Sequence, residues 1–318
     1  MTTTGAELQL PPTERVACDL CGADDASELY RSGDYRFEVD DAEWSVVQCR
    51  RCALAYLNPR PTAEAISRYY PPTYFQDRDA PALRRRYDLQ TAFLSKLPVG
   101  RLLDIGCANG DWMRLMVMHG WRVTGLEPSP DSSNSHGLDI RHGRFPESNT
   151  DVGGPYDVVT AWAVFEHLHQ PHAAFRQAAS LLAPGGRLII LVTNINSVFS
   201  RWSRQEDIPR HLYFFSEGTL RRYAESVGLS LDAVHHETGL FGGAGRGTLR
   251  RLSFQAVGVS TREYFRFMAR ASSERWTASP GLALLGGGFG LVERLILSDT
   301  MTRLLRVNGH IVAEFRKP

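Results

Sequence analysis

The chain has 318 residues, 43% of them hydrophobic, and its formal net charge at pH 7 is +1. That length suits one large domain with a small appendage, and the apolar fraction can fill a sizeable core, which excludes global disorder. A net charge so close to zero excludes the strongly basic field with which many nucleic-acid-binding proteins attract phosphates.

The first segment, residues 1–14, is predicted to be a flexible leader. It lacks a basic region followed by an apolar core, so we expect no signal peptide and a cytoplasmic protein. The most apolar late stretch, residues 281–297, contains Glu293 and Arg294 and is too short for a membrane span, which leaves only peripheral membrane contact open.

Residues 15–60 contain two Cys-x-x-Cys pairs, formed by Cys18 with Cys21 and by Cys49 with Cys52. In a reducing compartment such pairs favour metal binding over disulfides. Four thiolates complete a tetrahedral ligand set, which predicts a structural zinc ion in a small zinc-ribbon-like module. The module carries ten acidic residues and six arginines between Glu14 and Arg60, so it would repel phosphates and RNA binding is disfavoured.

Residues 61–100 are predicted to be a helical linker. From residue 101 the pattern alternates between buried strands and helices joined by glycine turns. The predicted strands cover 102–105, 122–126, 156–160 and 187–192, and the helices between them cover 111–119 and 171–182. This alternation predicts an α/β fold with a doubly wound parallel sheet.

The first of these strands ends in the turn Asp104-x-Gly106-x-x-x-Gly110. The glycines allow the backbone to turn tightly and to approach a ligand. The Gly-x-Gly-x-x-Gly spacing of nicotinamide enzymes is missing, which argues against an oxidoreductase. Acidic residues in the turn favour a cationic amine or sulfonium, and Glu127 at the end of the second strand can accept hydrogen bonds from ribose hydroxyls.

Residues 101–192 resemble the class I S-adenosylmethionine-dependent methyltransferases through four blocks: LLDIGCANG, VTGLEPS, GPYDVVTAWAVFEHLHQP and LLAPGGRLIILV. The resemblance implies a Rossmann-like sheet of seven strands, the last antiparallel, with the cofactor above the carboxyl ends of the first strands. The chain is similar to sugar and natural-product methyltransferases, and sugar C-methyltransferases that act on nucleotide-linked deoxysugars look similar at the N-terminus, where they also carry paired cysteines.

The resemblance also implies roles for individual residues. Near the methionine moiety it puts Asp104, Gly106 and Cys107, with Gly110 closing the turn; Glu127 would hold the ribose and Pro128 would flank the adenine. The acid that many relatives place after the third strand is absent, and Phe145 could cover the adenine instead. Just after the fourth strand, Ala161 and Trp162 would lie near the sulfonium.

Three polar residues are candidates for catalysis. Glu166 and His167 follow the fourth strand at the mouth of the cleft, where His167 is either a general base or a positioning residue. His211 is a rival base, and Asp207 or Arg210 beside it could grip the acceptor. The alternative for this second segment is helix initiation, with Ser216 as the N-cap.

The core is predicted at 101–239 and 307–318, interrupted by a helical insertion at 240–306. This insertion combines arginines and phenylalanines with the apolar stretch described above. It is either a lid over a hydrophobic or lipid-linked acceptor or a helical pair that packs on the sheet or forms a homodimer interface.

The sequence therefore predicts methyl transfer from S-adenosylmethionine to a hydroxyl of a small-molecule acceptor, such as a sugar, a glycan or a natural product. The alternatives are C-methylation of a nucleotide-linked deoxysugar, a zinc-ribbon RNA methyltransferase, which the acidic module disfavours, and a non-catalytic nucleoside-binding protein.

Overall fold

A computed structural model describes residues 11–74, 80–129, 137–147, 150–203, 207–236, 240, 247–270, 272–296, 305 and 308–318. The N-terminal part consists of five short strands: β1 (Thr13–Glu14), β2 (Ala26–Gly33), β3 (Glu43–Cys49), β4 (Ala55–Leu57) and β5 (Arg60–Pro61). Two 3-10 turns, Ile66–Tyr69 and Pro72–Tyr74, follow and lead to helix α1 (Ala80–Leu94).

A seven-stranded sheet forms the centre of the protein. Its strands are β6 (Arg101–Ile105), β7 (Arg122–Glu127), β8 (Asp139–His142), β9 (Tyr156–Trp162), β10 (Leu182–Thr193), β12 (Ser230–His235) and β13 (His310–Arg316). Their order is β12-β13-β10-β9-β6-β7-β8, and β13 runs antiparallel to both neighbours. The predicted Rossmann-like sheet with an antiparallel last strand is confirmed.

The central strands are buried because helices cover both faces of the sheet. Strand β6 and the second half of β10, Leu188–Val192, read as nearly continuous apolar runs, as expected for strands without a solvated face. The covering helices after α1 are α2 (Asp111–Met118), α3 (Pro171–Leu181) and α4 (Glu217–Ser226). Ser216 caps α4 in a reciprocal capping box with Thr219, so the predicted helix-start role of Ser216 is confirmed.

A second, four-stranded antiparallel sheet joins the cysteine-bearing segment to the rest of the chain. Its order is β11-β4-β3-β2, and β11 (Tyr213–Phe214) comes from the segment that follows the central strand β10. Tyr213 pairs with Tyr56 and Phe214 with Ala55. The two parts of the chain therefore share backbone hydrogen bonds as well as side-chain contacts.

Among the residues described between β12 and β13, the structure has four helices: α5 (Thr248–Ala256), α6 (Thr261–Ala269), α7 (Ser272–Ala278) and α8 (Pro280–Ile296). Glu293 of α8 is buried, and its carboxylate accepts hydrogen bonds from the backbone N–H groups of Gly247 and Leu249 at the start of α5. An acidic residue in an apolar helix thus satisfies the free amides of a neighbouring helix. Across the described ranges, none of the helices combines the length and apolarity that a membrane crossing needs.

Candidate active site and cysteine cluster

The four cysteines of the two Cys-x-x-Cys pairs come together between β1 and β4. Their sulfur atoms all lie within 4.8 Å of one another, with Cys18 Sγ 3.3 Å from Cys52 Sγ and Cys21 Sγ 3.5 Å from Cys49 Sγ. In a tetrahedral zinc site with Zn–S bonds of about 2.3 Å, the sulfur atoms are about 3.8 Å apart. The spacing of the thiols fits such a site.

The two turns that carry these cysteines have the same backbone geometry. Cys18 N donates to Ala23 O and Gly22 N donates to Cys18 O; Cys49 N donates to Leu54 O and Ala53 N donates to Cys49 O. Gly22 and Ala53, at equivalent positions, both have positive φ, of 70° and 62°. For alanine this conformation is uncommon, which shows that the turn geometry overrides the side chain's preference. Repetition of one turn presents the two cysteine pairs to a common centre.

The glycine loop after β6 is closely packed. Gly106 and Gly110 have φ values of +73° and +81°. A Cβ atom on Gly106 would lie 2.6 Å from Val164 Cγ2, and one on Gly110 would lie 2.9 Å from Leu138 Cδ1. A larger side chain would press on Val164 or Leu138 and would be strained at these positive φ values, so the backbone conformation is the main reason for glycine at both positions.

Glu127 at the end of β7 is directly connected to this loop. Its Oε2 accepts a hydrogen bond of 2.9 Å from Ala108 N, and its Oε1 accepts one of 3.1 Å from Ser129 N. A carboxylate has about four acceptor positions, so each oxygen can accept one more hydrogen bond. The arrangement leaves Glu127 able to receive two ribose hydroxyls while it holds the loop.

Asp104 lies beneath the loop and is almost fully buried. Burial raises its pKa to about 7, against the opposing effects of a 2.8 Å hydrogen bond from Thr160 Oγ1 and the positive charge of Arg86. Arg86 belongs to α1, outside the four motif blocks, and sequence reasoning missed it. A basic residue at position 86, well before the strand that begins at Arg101, carries no signal until α1 is packed near the strand ends.

The other residues predicted to contact the cofactor differ in exposure. Cys107, Phe145, Ala161 and Trp162 are buried, whereas Pro128 is exposed. Trp162 packs edge-on against Trp112, and its ring centroid lies 6.0 Å from that of Phe93 in α1. The carboxyl end of β9 therefore lies under α1, on the same edge of the sheet as the glycine loop.

Three predicted catalytic residues form one cluster. One carboxylate oxygen of Glu166 and one ring nitrogen each of His167 and His211 lie within 4.8 Å of one another. The two imidazole rings meet edge to face, with their centroids 4.8 Å apart. Backbone contacts hold the two segments together, since Leu212 N donates to Glu166 O at 2.7 Å. His169, by contrast, points elsewhere, with Nε2 3.1 Å from the carbonyl oxygen of Pro61.

His167 has a defined tautomer. Its Nδ1 lies 2.9 Å from the backbone oxygen of Arg210 and 3.1 Å from the hydroxyl oxygen of Tyr70. A carbonyl oxygen can only accept and a hydroxyl oxygen can accept as well, so a proton on Nδ1 satisfies both contacts. The lone pair of the ring therefore resides on Nε2. Burial lowers the pKa of His167 to about 3, and the nearby His211 adds to the effect, so the ring is neutral at physiological pH.

Arg210 was expected to grip the acceptor, but the structure gives it a different, structural role. Its side chain is fully buried, and its guanidinium donates to Asp34 Oδ1 at 2.7 Å, to Asp207 Oδ1 at 2.7 Å and to Tyr69 O at 2.8 Å. These partners come from the cysteine-bearing segment, the linker and the core. Because all three guanidinium nitrogens donate to internal partners, Arg210 joins these three parts instead of contacting solvent.

Comparison with known proteins identifies the central part of the chain. Residues 77–234 match the family described as "Methyltransferase domain". The curated relatives include a ubiquinone biosynthesis O-methyltransferase of Aeromonas salmonicida, 27% identical over 43% of this chain and 66% of the relative. The enzyme of the same name from Marinobacter nauticus is 36% identical over 30% of this chain and 45% of the relative. The chain thus spans less than two thirds of the length of these relatives.

Solved structures include an S-adenosylmethionine-dependent methyltransferase from Mesorhizobium loti. It is 14% identical, with a TM-score of 0.44, and the match covers 73% of this chain and 98% of that structure.

Proposed function

Because the chain contains a class I S-adenosylmethionine-dependent methyltransferase domain, we propose that it transfers the methyl group of S-adenosylmethionine to a hydroxyl of a small-molecule acceptor. The observation that carries the proposal is the junction between the glycine loop and Glu127, where Ala108 N and Glu127 Oε2 are 2.9 Å apart. The carboxyl ends of the adjacent parallel strands β6 and β7 meet there, and the loop lacks the glycine spacing for a pyrophosphate.

The cofactor supplies an electrophilic methyl group on a positively charged sulfur. In the proposal, Glu127 accepts the ribose hydroxyls, Asp104 faces the α-ammonium of the methionine moiety and Arg86 faces its carboxylate. The remaining contacts come from the loop and the neighbouring strand ends, namely Gly106, Cys107, Gly110, Pro128, Phe145, Ala161 and Trp162.

We propose that the cluster of Glu166, His167 and His211 activates the acceptor hydroxyl. A hydroxyl becomes a good nucleophile only as its proton leaves, and neutral imidazole can accept that proton. His167 has the better-defined lone pair, because the Arg210 carbonyl fixes its tautomer. Transfer to oxygen agrees with the names of the curated relatives, which are O-methyltransferases. Sugars, glycans and natural products remain the proposed acceptors.

For the N-terminal part, we propose that residues 15–60 bind a structural zinc ion through Cys18, Cys21, Cys49 and Cys52. With four thiolate ligands the ion has no open position, so it stabilises the fold instead of taking part in the reaction. We retain the division into a leader (1–14), this module, a linker (61–100), a core (101–239 and 307–318) and an insertion (240–306). The insertion contacts the module through ion pairs of Arg262 with Asp41 and of Arg266 with Glu38.

Isothermal titration tests the cofactor proposal. The purified protein should bind S-adenosylhomocysteine and should not bind NAD. Replacing Glu127 with alanine should weaken S-adenosylhomocysteine binding at least tenfold, because two charge-assisted hydrogen bonds to the ribose are lost. Glu217→Ala, at an exposed position on α4, is the matched control and should bind normally. A folded wild-type protein without affinity for S-adenosylhomocysteine would refute the proposed function.

A further inference from the structure

The cluster at the end of β9 has the composition of a metal site. Two groups of potential metal ligands occur among the residues that the structure describes, and the second consists of Glu166, His167 and His211. It lies apart from the four cysteines and contains one carboxylate and two imidazoles. We propose that these three residues bind a divalent first-row transition-metal ion, such as Mn²⁺ or Zn²⁺, through one carboxylate oxygen and two ring nitrogens.

The positions of the three side chains support this proposal. Their ligand atoms lie within 4.8 Å of one another, and an ion at about 2.1 Å from each would draw them to about 3 to 3.5 Å. Glu166 and His167 are consecutive in the 3-10 turn Phe165–His167, and His211 approaches from the segment before β11.

The surroundings of the cluster support the proposal as well. The backbone oxygen of Arg210 receives the Nδ1 proton of His167 and thereby directs the Nε2 lone pair to a ligand. Metal-bound histidines are held in this way by a second hydrogen bond from the other ring nitrogen. Glu166 is fully buried and His211 is 9% exposed. A buried carboxylate is stabilised when it is paired or coordinates a cation.

The chemistry of the donor set selects the class of ion. Two imidazoles with one carboxylate suit manganese, iron or zinc, whereas magnesium and calcium prefer ligand sets made of oxygen. Three protein ligands also leave coordination positions open for water or for an acceptor oxygen.

A bound cation would change how the acceptor is activated, and this part of the inference rests on the proposed function. A hydroxyl that binds the ion has a lowered pKa, so its proton passes to water and both imidazoles act as ligands. The new bond then joins the acceptor oxygen to the methyl carbon, the carbon–sulfur bond breaks, and its electrons remain on the neutral thioether. Binding of the cation itself does not depend on methyl transfer.

Titration with Mn²⁺ tests the inference, because manganese favours nitrogen and oxygen ligands over the thiolates of the cysteine cluster. The full-length protein, dialysed against metal-free buffer, is titrated while electron paramagnetic resonance follows the free ion. We expect one bound Mn²⁺ per chain, with spin-echo modulation from two histidine nitrogens. Glu166→Gln and His211→Ala should each weaken binding at least tenfold, and His119→Ala, at an exposed position after α2, should leave it unchanged.

The outcomes are decisive in either direction. Absence of bound Mn²⁺ in the wild-type protein, or modulation from fewer than two histidines, overturns the inference, and neither result depends on whether a variant folds. Titration with S-adenosylhomocysteine on the same sample separates this inference from the proposed function. Nucleoside binding without manganese binding refutes only the metal site, and manganese binding without nucleoside binding refutes only the methyltransferase proposal.

Discussion

At the scale of single residues, burial decides what the ionisable groups of the candidate site can do. Asp104 is buried and His167 is half-buried, and in each case removal from water favours the neutral form. For His167 this gives an imidazole with an available lone pair throughout the physiological pH range. For Asp104 it gives a carboxyl group that titrates close to neutral pH, which is unusual for aspartate and has a measurable consequence.

We expect the affinity for S-adenosylhomocysteine to rise with pH through neutrality. Burial raises the pKa of Asp104 to about 7, so the group is largely neutral at about pH 6 and largely ionised at about pH 8. Only the ionised form attracts the ligand's α-ammonium, and affinity should increase by about tenfold over this window. Calorimetry at several pH values measures the change.

Asp104→Asn is the variant that isolates this effect. The amide keeps the shape of the side chain and can still accept the hydrogen bond from Thr160. The variant should bind S-adenosylhomocysteine weakly at about pH 8 and with little pH dependence. Asp139→Asn, on the outer strand β8, should retain the wild-type pH profile. An unchanged pH profile in Asp104→Asn would show that another group titrates.

At the scale of elements, the junction between the cysteine-bearing segment and the core is built on a buried ion pair. Arg210 donates to Asp207, which is three residues earlier in the sequence, and to Asp34, which is 176 residues earlier. Asp34 also accepts hydrogen bonds from Phe37 N and Val39 N, so one carboxylate orders the turn after β2 and binds the core. At least one of the acidic residues of this segment, Asp34, therefore has a structural role.

Breaking this ion pair should be costly. We expect Arg210→Gln to lower the free energy of unfolding by about 3 to 5 kcal/mol, because it leaves the carboxylate of Asp34 buried without its counter-charge. Arg221→Gln, which breaks an exposed i,i+4 pair with Glu217 on α4, should cost less than about 1 kcal/mol. Urea denaturation of both variants gives the comparison. Equal losses would mean that the buried pair adds nothing to the junction.

The sequence was sufficient for the fold but not for this junction. The alternation of strands and glycine turns predicted a doubly wound parallel sheet, and the resemblance of the four motif blocks to class I methyltransferases implied its seven strands with the last one antiparallel. Glu166, His167 and His211 could be nominated because polar residues follow strands β9 and β10. The partners of Arg210 could not be predicted, since Asp34 is distant in sequence and no local pattern marks the contact. The same holds for the pairing of β11 with β4.

At the scale of the whole molecule, the shared sheet makes the proposed zinc site part of the structure of the core. Strand β4 follows the second cysteine pair directly and hydrogen-bonds to β11, which lies just after His211. Asp19, between the first two cysteines, accepts hydrogen bonds from His172 N at the start of α3 and from the hydroxyl of Tyr223 in α4, both at 2.8 Å. Loss of the cysteine turns would therefore disturb α3, α4 and the strand beside the candidate catalytic cluster.

Removal of zinc should consequently destabilise the entire protein. A structural zinc ion contributes its binding free energy to folding, and here the elements it organises are continuous with the core. Chelation should lower the unfolding temperature of one cooperative transition. The chain has six tryptophans, so fluorotryptophan labelling and ¹⁹F NMR are used to follow Trp44 in β3 separately. Its signal and the far-ultraviolet circular dichroism, dominated by the core helices, should follow the same curve. Two separated transitions after chelation, with the core unchanged, would instead show that the cysteine-bearing segment folds as an independent unit attached to a self-sufficient methyltransferase domain.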